Sequence, residues 1–392
     1  MNKYLLPSIF LCISVWACSK KETYSEKETF DKSFTHLGQV KLAIDSVSNF
    51  DFTEFQVVLE EGVELLLVMN RVNFSFDFYD LETGEMVKRT AIVKDEKFPI
   101  RALYGFFYHN SDSIFLFNQM QLNGISLLNG KGEVITQFSP QKVDRSSPQE
   151  MMKSLVNHYS RADNMTIYEA GNLYFSDMSL NGFLSSDEHM KAFRPVVKVD
   201  LVNNEVTQID KITVPDFYHG KVWPMGLGNY SRIRQGDLWV YSWSALDSLL
   251  IFDNDWNHLT SVHAKSEFAK PLKYSVASGA PSDIEIREKV TQTTYSSLIY
   301  DPYRDVYYRF VTIGRAMDDS DLEEQFPQVK NEFSIIVLDK DFTILIEKRF
   351  PGKIHKPYKS FVGKKGLYLS RTNSFYEGLS EDEVVLDIYR FD

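Results

Sequence analysis

Cysteine is nearly missing from this chain: it has two in 392 residues, Cys12 and Cys18. Cys12 lies inside an apolar run near the start, so a chain cut after residue 17 keeps only Cys18. One thiol cannot form an internal disulfide, a CxxC redox pair or a thiolate zinc site, and stability must come from core burial. Basic clusters are lacking too. With a formal net charge of −11 and no Lys/Arg run long enough to follow a phosphate backbone, nucleic acid is excluded as a partner. The histidines at 36, 109, 158, 189, 219, 258, 263 and 355 show neither HExxH nor HxH spacing, and no Gly-x-Ser-x-Gly elbow occurs. A site gathered from separate segments stays open, but no local spacing announces one.

The most apolar run stands at the start. Lys3 precedes an apolar stretch over residues 4–16 and then Ala17-Cys18, the pattern of a secretory signal peptide over residues 1–17. At ~1.5 Å per residue such a stretch reaches only about 20 Å as a helix, too short to span a bilayer. Val15-Trp16-Ala17-Cys18 resembles the lipobox of bacterial lipoproteins, in which the cysteine is lipidated and becomes the mature N-terminus. Ordinary cleavage after Ala17 is the alternative and leaves a soluble periplasmic product. Residues 18–35 are polar, mixed in charge and without apolar periodicity, which reads as a flexible tether to a lipid anchor in the outer membrane. Periplasmic and cell-surface orientations both stay open.

What the chain has is repetition. Residues 113–118, 124–128 and 133–138 read as three strands, the last two joined by Asn129-Gly130-Lys131-Gly132. Starting strands of the same kind recur at 64–69, 172–176, 237–242, 305–310 and 366–370. Apolar strands running into Asp/Asn/Gly turns follow at 76–80, 196–200, 249–253 and 335–339. Six such units, about 60 residues apart, predict an all-β, six-bladed β-propeller over residues 36–392. The last unit has a third strand at 384–389 and no room for a fourth, whereas 39–44 has no unit of its own. The early strand is therefore expected to close the last blade and remove its open edge. Two insertions read as short helices opened by capping boxes: Ser147-Pro148-Gln149-Glu150, running to about 159, and Ser282-Asp283-Ile284-Glu285, running to about 291.

The block Ile299-Tyr300-Asp301-Pro302-Tyr303-Arg304-Asp305-Val306-Tyr307-Tyr308-Arg309-Phe310, with the lipobox and Asp112-Ser113-Ile114-Phe115-Leu116, resembles an uncharacterised family of propeller lipoproteins from Bacteroidota, classed as a domain of unknown function. The resemblance implies fold and cellular address. It supplies no catalytic residues.

Candidate ligand contacts are therefore taken from the residues themselves. Asp301, Arg304 and Arg309 could stand at a binding face; a purely structural account has Asp301-Pro302 turning the chain and Arg309 paired with a carboxylate. Trp223 and Tyr230, flanking Gly226 and Gly228, could form a stacking platform for a sugar or peptide, or else core aromatics beside a glycine turn. Asp253, Asp255 and Asn257 place oxygens at alternate positions as a calcium loop does, but His258 occupies the glycine position and Ala264 that of the bidentate Glu. Hydrogen bonding within a turn is the reading adopted, and no metal or other cofactor is expected. The functional expectation is a lipid-anchored, non-enzymatic binding or scaffold module with a protein or glycan partner. Its alternatives are a hydrolase or lyase acting on a glycan or lactone in the central pocket, and a structural subunit of an envelope complex.

Overall fold

A computed structural model describes residues 33–392 except 120, 143, 148–157, 159, 162, 178–185 and 274–281. The expected signal peptide, Cys18, nearly all of the expected tether and the body of the helix expected at 147–159 lie outside the described residues. The chain is a six-bladed β-propeller of four-stranded antiparallel sheets. Blade 1 is built from Phe55–Glu60, Val63–Asn70, Ser75–Asp80 and Met86–Ala91. Blade 2 follows with Gly105–Asn110, Ser113–Phe117, Ile125–Leu128 and Val134–Phe138, and blade 3 with Ile167–Glu169, Asn172–Ser176, Val196–Asp200 and Glu205–Gln208. Blade 4 uses Tyr230–Gln235, Leu238–Trp243, Ser248–Phe252 and His258–His263; blade 5 uses Thr294–Asp301, Val306–Thr312, Phe333–Asp339 and Ile344–Phe350. In blade 6, Phe361–Gly363, Gly366–Ser370 and Glu383–Phe391 are completed by Phe34–Ala43.

That closure is the one expected, paired from Phe34 opposite Phe391 to Ala43 opposite Glu383 with a bulge between His36 and Gly38. The apolar strands taken from the sequence as the start of each unit are instead second in each sheet. Physics explains the shift: second and third strands are covered on both faces by neighbouring blades and read as continuous apolar runs. Val306–Thr312 is buried over six of its seven residues, whereas outer His258–His263 is almost wholly exposed. The first strands are short or mixed, and the sequence pattern hides them.

The core is divided among the seams. Each of six apolar clusters joins two adjacent blades; Leu42, Leu66, Tyr79, Phe361, Tyr368 and Leu386, for example, fill the seam where the ring closes. The hairpins between third and fourth strands share one device. Asp80, Asn129, Asp200, Asp253 and Asp339 each accept backbone N–H groups of the turn that follows. Within each turn one residue has positive φ: Gly84, Gly132, Asn204, Trp256 or Phe342. Glycine is required at the second of these, because a Cβ on Gly132 would stand 2.0 Å from the carbonyl oxygen of Ala91 in the preceding blade.

Strand alternation sorts the connections into two ends. Hairpins between first and second strands are tight and lie at one end with the Asp turns, here the turn end. All connections between blades lie at the other, the loop end, together with the second-to-third-strand loops. The expected helix Ser282–Thr291 sits there. A shorter one, Asp187–Ala192, was not anticipated; Ser186 caps it by accepting from the His189 N–H at 3.2 Å.

Candidate functional site at the loop end

The turn end is stitched shut, blade to blade. Tyr108 donates to Glu60 at 2.8 Å, the His109 ring meets that of Tyr168 edge-on at 4.8 Å, and Arg234 grips Glu169 through two bonds of 2.8 and 2.9 Å. Tyr307 donates to Gln235 at 3.3 Å, Arg304 to the Lys364 carbonyl at 2.8 Å, and the Lys364 N–H to Glu64 at 2.9 Å. All six seams are thus bridged at this end.

Two of the residues singled out from sequence belong to this belt. Asp301 is fully buried; it accepts the N–H groups of Tyr303 and Arg304, the Tyr308 hydroxyl at 3.0 Å and the Arg304 guanidinium at 3.0 Å. Arg304 spends its other edge on blade 6. Arg309 lies apart, fully buried between blades 4 and 5. Its Nε donates to Ser242, its Nη groups donate to the carbonyls of Leu246, Asp247 and Ala264 at 2.5–3.1 Å, and the Tyr295 ring lies 3.5 Å from its guanidinium carbon. The expected carboxylate partner is absent from this shell. Asp247 acts at one remove, through a 2.7 Å bond from the Tyr295 hydroxyl. Burial pulls the Arg309 pKa below that of a free guanidinium, against the opposing pull of Tyr295 and Asp247.

Trp223 and Tyr230 do not make an exposed platform. Trp223 is 4% exposed and donates its indole N–H to the Tyr218 carbonyl. Tyr230 gives its hydroxyl to the carbonyls of Asp177 and Pro195. The exposed ring at this place is Phe217, 41% accessible and 5.2 Å from Trp223, which the sequence analysis passed over. The Asp253 turn is one of the five equivalent hairpins. Both Asp253 oxygens accept from Asn257, and Asn257 in turn takes the Lys211 ammonium at 2.9 Å, so these oxygens face the protein's own donors. Among the described residues no three His, Cys, Asp or Glu side chains gather in a way that could hold a metal ion.

A different cluster stands at the loop end, where blade 6 meets blade 1. Pro357 opens a 3₁₀ turn, Pro357–Lys359, with Lys356 as its cap. Three residues per turn place Lys356 and Lys359 over one another. Their ammonium groups reach the same oxygen, Oδ1 of Asp51, Lys356 at 2.7 Å. Both lysines are buried, Lys359 to 2% exposure, and neither ammonium has a second hydrogen-bond partner among the described residues. Phe52 covers Lys359 at 5.6 Å. Alongside, Glu54 pairs with Arg71 at 2.9 Å. Asp51, Phe52, Glu54, Asn70 and Arg71 line a pocket of about 60 Å³, room for water or a small ligand group. Burial outweighs Asp51 and lowers the Lys359 pKa to about 8. In sequence the only trace is Lys-Pro-x-Lys, which reads as a solvated turn.

The family profile described as a domain of unknown function, DUF4221, matches residues 33–349. The chain belongs to the DUF4221 family. A DUF4221 member from Bacteroides vulgatus has a crystal structure that superposes with a TM-score of 0.79 at 22% identity, covering 92% of this chain and 98% of that one. A putative exported protein from Bacteroides fragilis superposes at 0.51 and 11% identity, over 92% and 95% of the two chains. No curated protein matches the chain. The DUF4221 match includes Asp51 and Arg71 but stops short of Lys356 and Lys359.

Proposed function

We propose that this DUF4221 chain is a cell-envelope lipoprotein, held to the membrane by a lipid on Cys18, that works as a non-enzymatic binding propeller through its loop end. The observation that carries this reading is the unequal finish of the two ends. At the turn end, side chains reach across every seam, by hydrogen bonds at five and by a ring contact at the sixth. The loop end collects all connections between blades, and its loops carry the exposed side chains of Val72, Phe217, Leu322 and Phe326, whereas the exposed apolar residues of the turn end, Leu59, Val63, Val202 and Tyr303, lie in or beside short hairpins. Loops on a rigid scaffold are where proteins place recognition surfaces. The signal-like start and the exported neighbour from Bacteroides fragilis support the envelope address.

The test uses the lipidated protein recovered from native membranes. Mass spectrometry of its N-terminal peptide reports acylation of Cys18, and Cys18→Ala releases the protein from the membrane fraction. Phe217→Ser with Phe326→Ser, both at exposed positions, is expected to abolish retention of the co-purifying partner or glycan. Tyr303→Ser at the turn end is expected to leave it intact. Equal retention in both variants, or loss in Tyr303→Ser alone, would overturn the loop-end assignment.

A further inference from the structure

We infer that the seam between blades 6 and 1 is a binding site for a compact oxyanion, a carboxylate or phosphate group of the loop-end ligand, held by Lys356 and Lys359. This rests on the binding reading above and names the chemistry of its ligand.

Donor accounting leads there. Two ammonium groups present six N–H directions, and one oxygen of Asp51 answers two of them. Buried donors left without acceptors are costly, so the remaining directions turn to oxygen atoms from outside the chain, those of solvent or of a ligand. Charge points the same way. Glu54 is paired with Arg71 and Asp77 with Arg89, which leaves the two positive charges of Lys356 and Lys359 against the single negative charge of Asp51, in a protein whose net charge is −11. One monoanion balances the cluster. Asp51 stands between the pocket and the lysines: its side chain is 42% exposed and lines the pocket with Arg71, whereas neither lysine does, so a ligand carboxylate reaches the ammonium groups by taking the place of Asp51. Arg161 packs its guanidinium 5.1 Å from the ring of Tyr358, between the two lysines in sequence, and borders a smaller cavity that also touches Glu54. Ammonium groups suit this role because they act as point charges without the planar demands of a guanidinium.

The purified full-length protein is titrated by calorimetry with sodium glucuronate, glucose and inorganic phosphate. Saturable binding of glucuronate or phosphate, with none of glucose, is expected at concentrations below about 50 mM. Binding of only one anion assigns the carboxylate or the phosphate source. Lys356→Met and Lys359→Met, with folding verified by circular dichroism, are expected to weaken binding at least about tenfold, while Lys41→Met on the rim leaves it unchanged. Asp51→Asn removes the internal competitor and is expected to tighten binding several-fold. No saturable binding of either anion, equal binding in Lys356→Met, or weaker binding in Asp51→Asn would overturn the site. If anions fail to bind while Phe217→Ser with Phe326→Ser still loses its partner, the site is refuted and the loop-end function stands.

Discussion

Two seams of the same ring bury cations and treat them in opposite ways. Between blades 4 and 5, Arg309 has its guanidinium met by three carbonyls, a hydroxyl and an aromatic face. Between blades 6 and 1, Lys356 and Lys359 share a single carboxylate oxygen beside a pocket. Burial alone does not separate structural from functional charge. The count of donors answered by the chain itself does: the first seam meets its cation with protein groups alone, and the second is where we place an anion.

The sharpest way to break this contrast is Arg309→Met. It strands three carbonyls and Ser242 in the seam and is expected to cost about 3–5 kcal/mol in denaturant unfolding. Lys359→Met removes a charge that burial already penalises, while Asp51 keeps Lys356, so a change within about 1 kcal/mol is expected at neutral pH. Equal losses in the two variants would erase the distinction.

The pH dependence sharpens it further. Burial lowers the Lys359 pKa from 10.5 to about 8, so between those values the unfolded chain holds a proton that the folded chain has released. Through this group stability rises with pH across that window, by on the order of 2–3 kcal/mol, and the rise should vanish in Lys359→Met. A third seam supplies the acid counterpart. His158, between blades 2 and 3, is buried against Phe117 and Phe175 and donates Nε2–H to the Gln119 carbonyl. Burial lowers its pKa from 6.5 to about 4. The unfolded chain therefore binds a proton first, and stability falls as pH drops through 6.5 towards 4. His158→Leu should flatten that fall, read as the difference in unfolding midpoint between pH 7 and pH 5. At the turn end, Tyr303→Phe loses one half-exposed bond to Glu64 and is expected to cost no more than about 1 kcal/mol, the smallest effect of the set.

How legible each feature was follows from where its partners sit in the chain. The second and third strands were visible because burial on both faces writes itself as consecutive apolar residues, as in Ile335 to Leu338. The Asp turns were visible because acceptor and donors are two to four residues apart. Closure of the ring was readable by elimination, one strand too few at one end and one to spare at the other. The lysine site was not, because its meaning depends on Asp51, 305 and 308 residues away from Lys356 and Lys359. Trp223 and Tyr230 misled for the complementary reason. An aromatic beside glycine looks exposed, and only the packing of Phe217 and Tyr218 shows which ring is outermost.

The strand Phe34–Ala43 carries a consequence for biogenesis. It is the first part of the propeller to be synthesised, and its hydrogen-bonding partner, Glu383–Phe391, is the last. Five blades can assemble as the chain emerges, but the sixth must hold three strands against solvent until the opening segment swings back. A chain ending before residue 383 would leave Phe34–Ala43 without its ladder partner and the circle unclosed, an exposed strand edge of the kind that pairs with other chains.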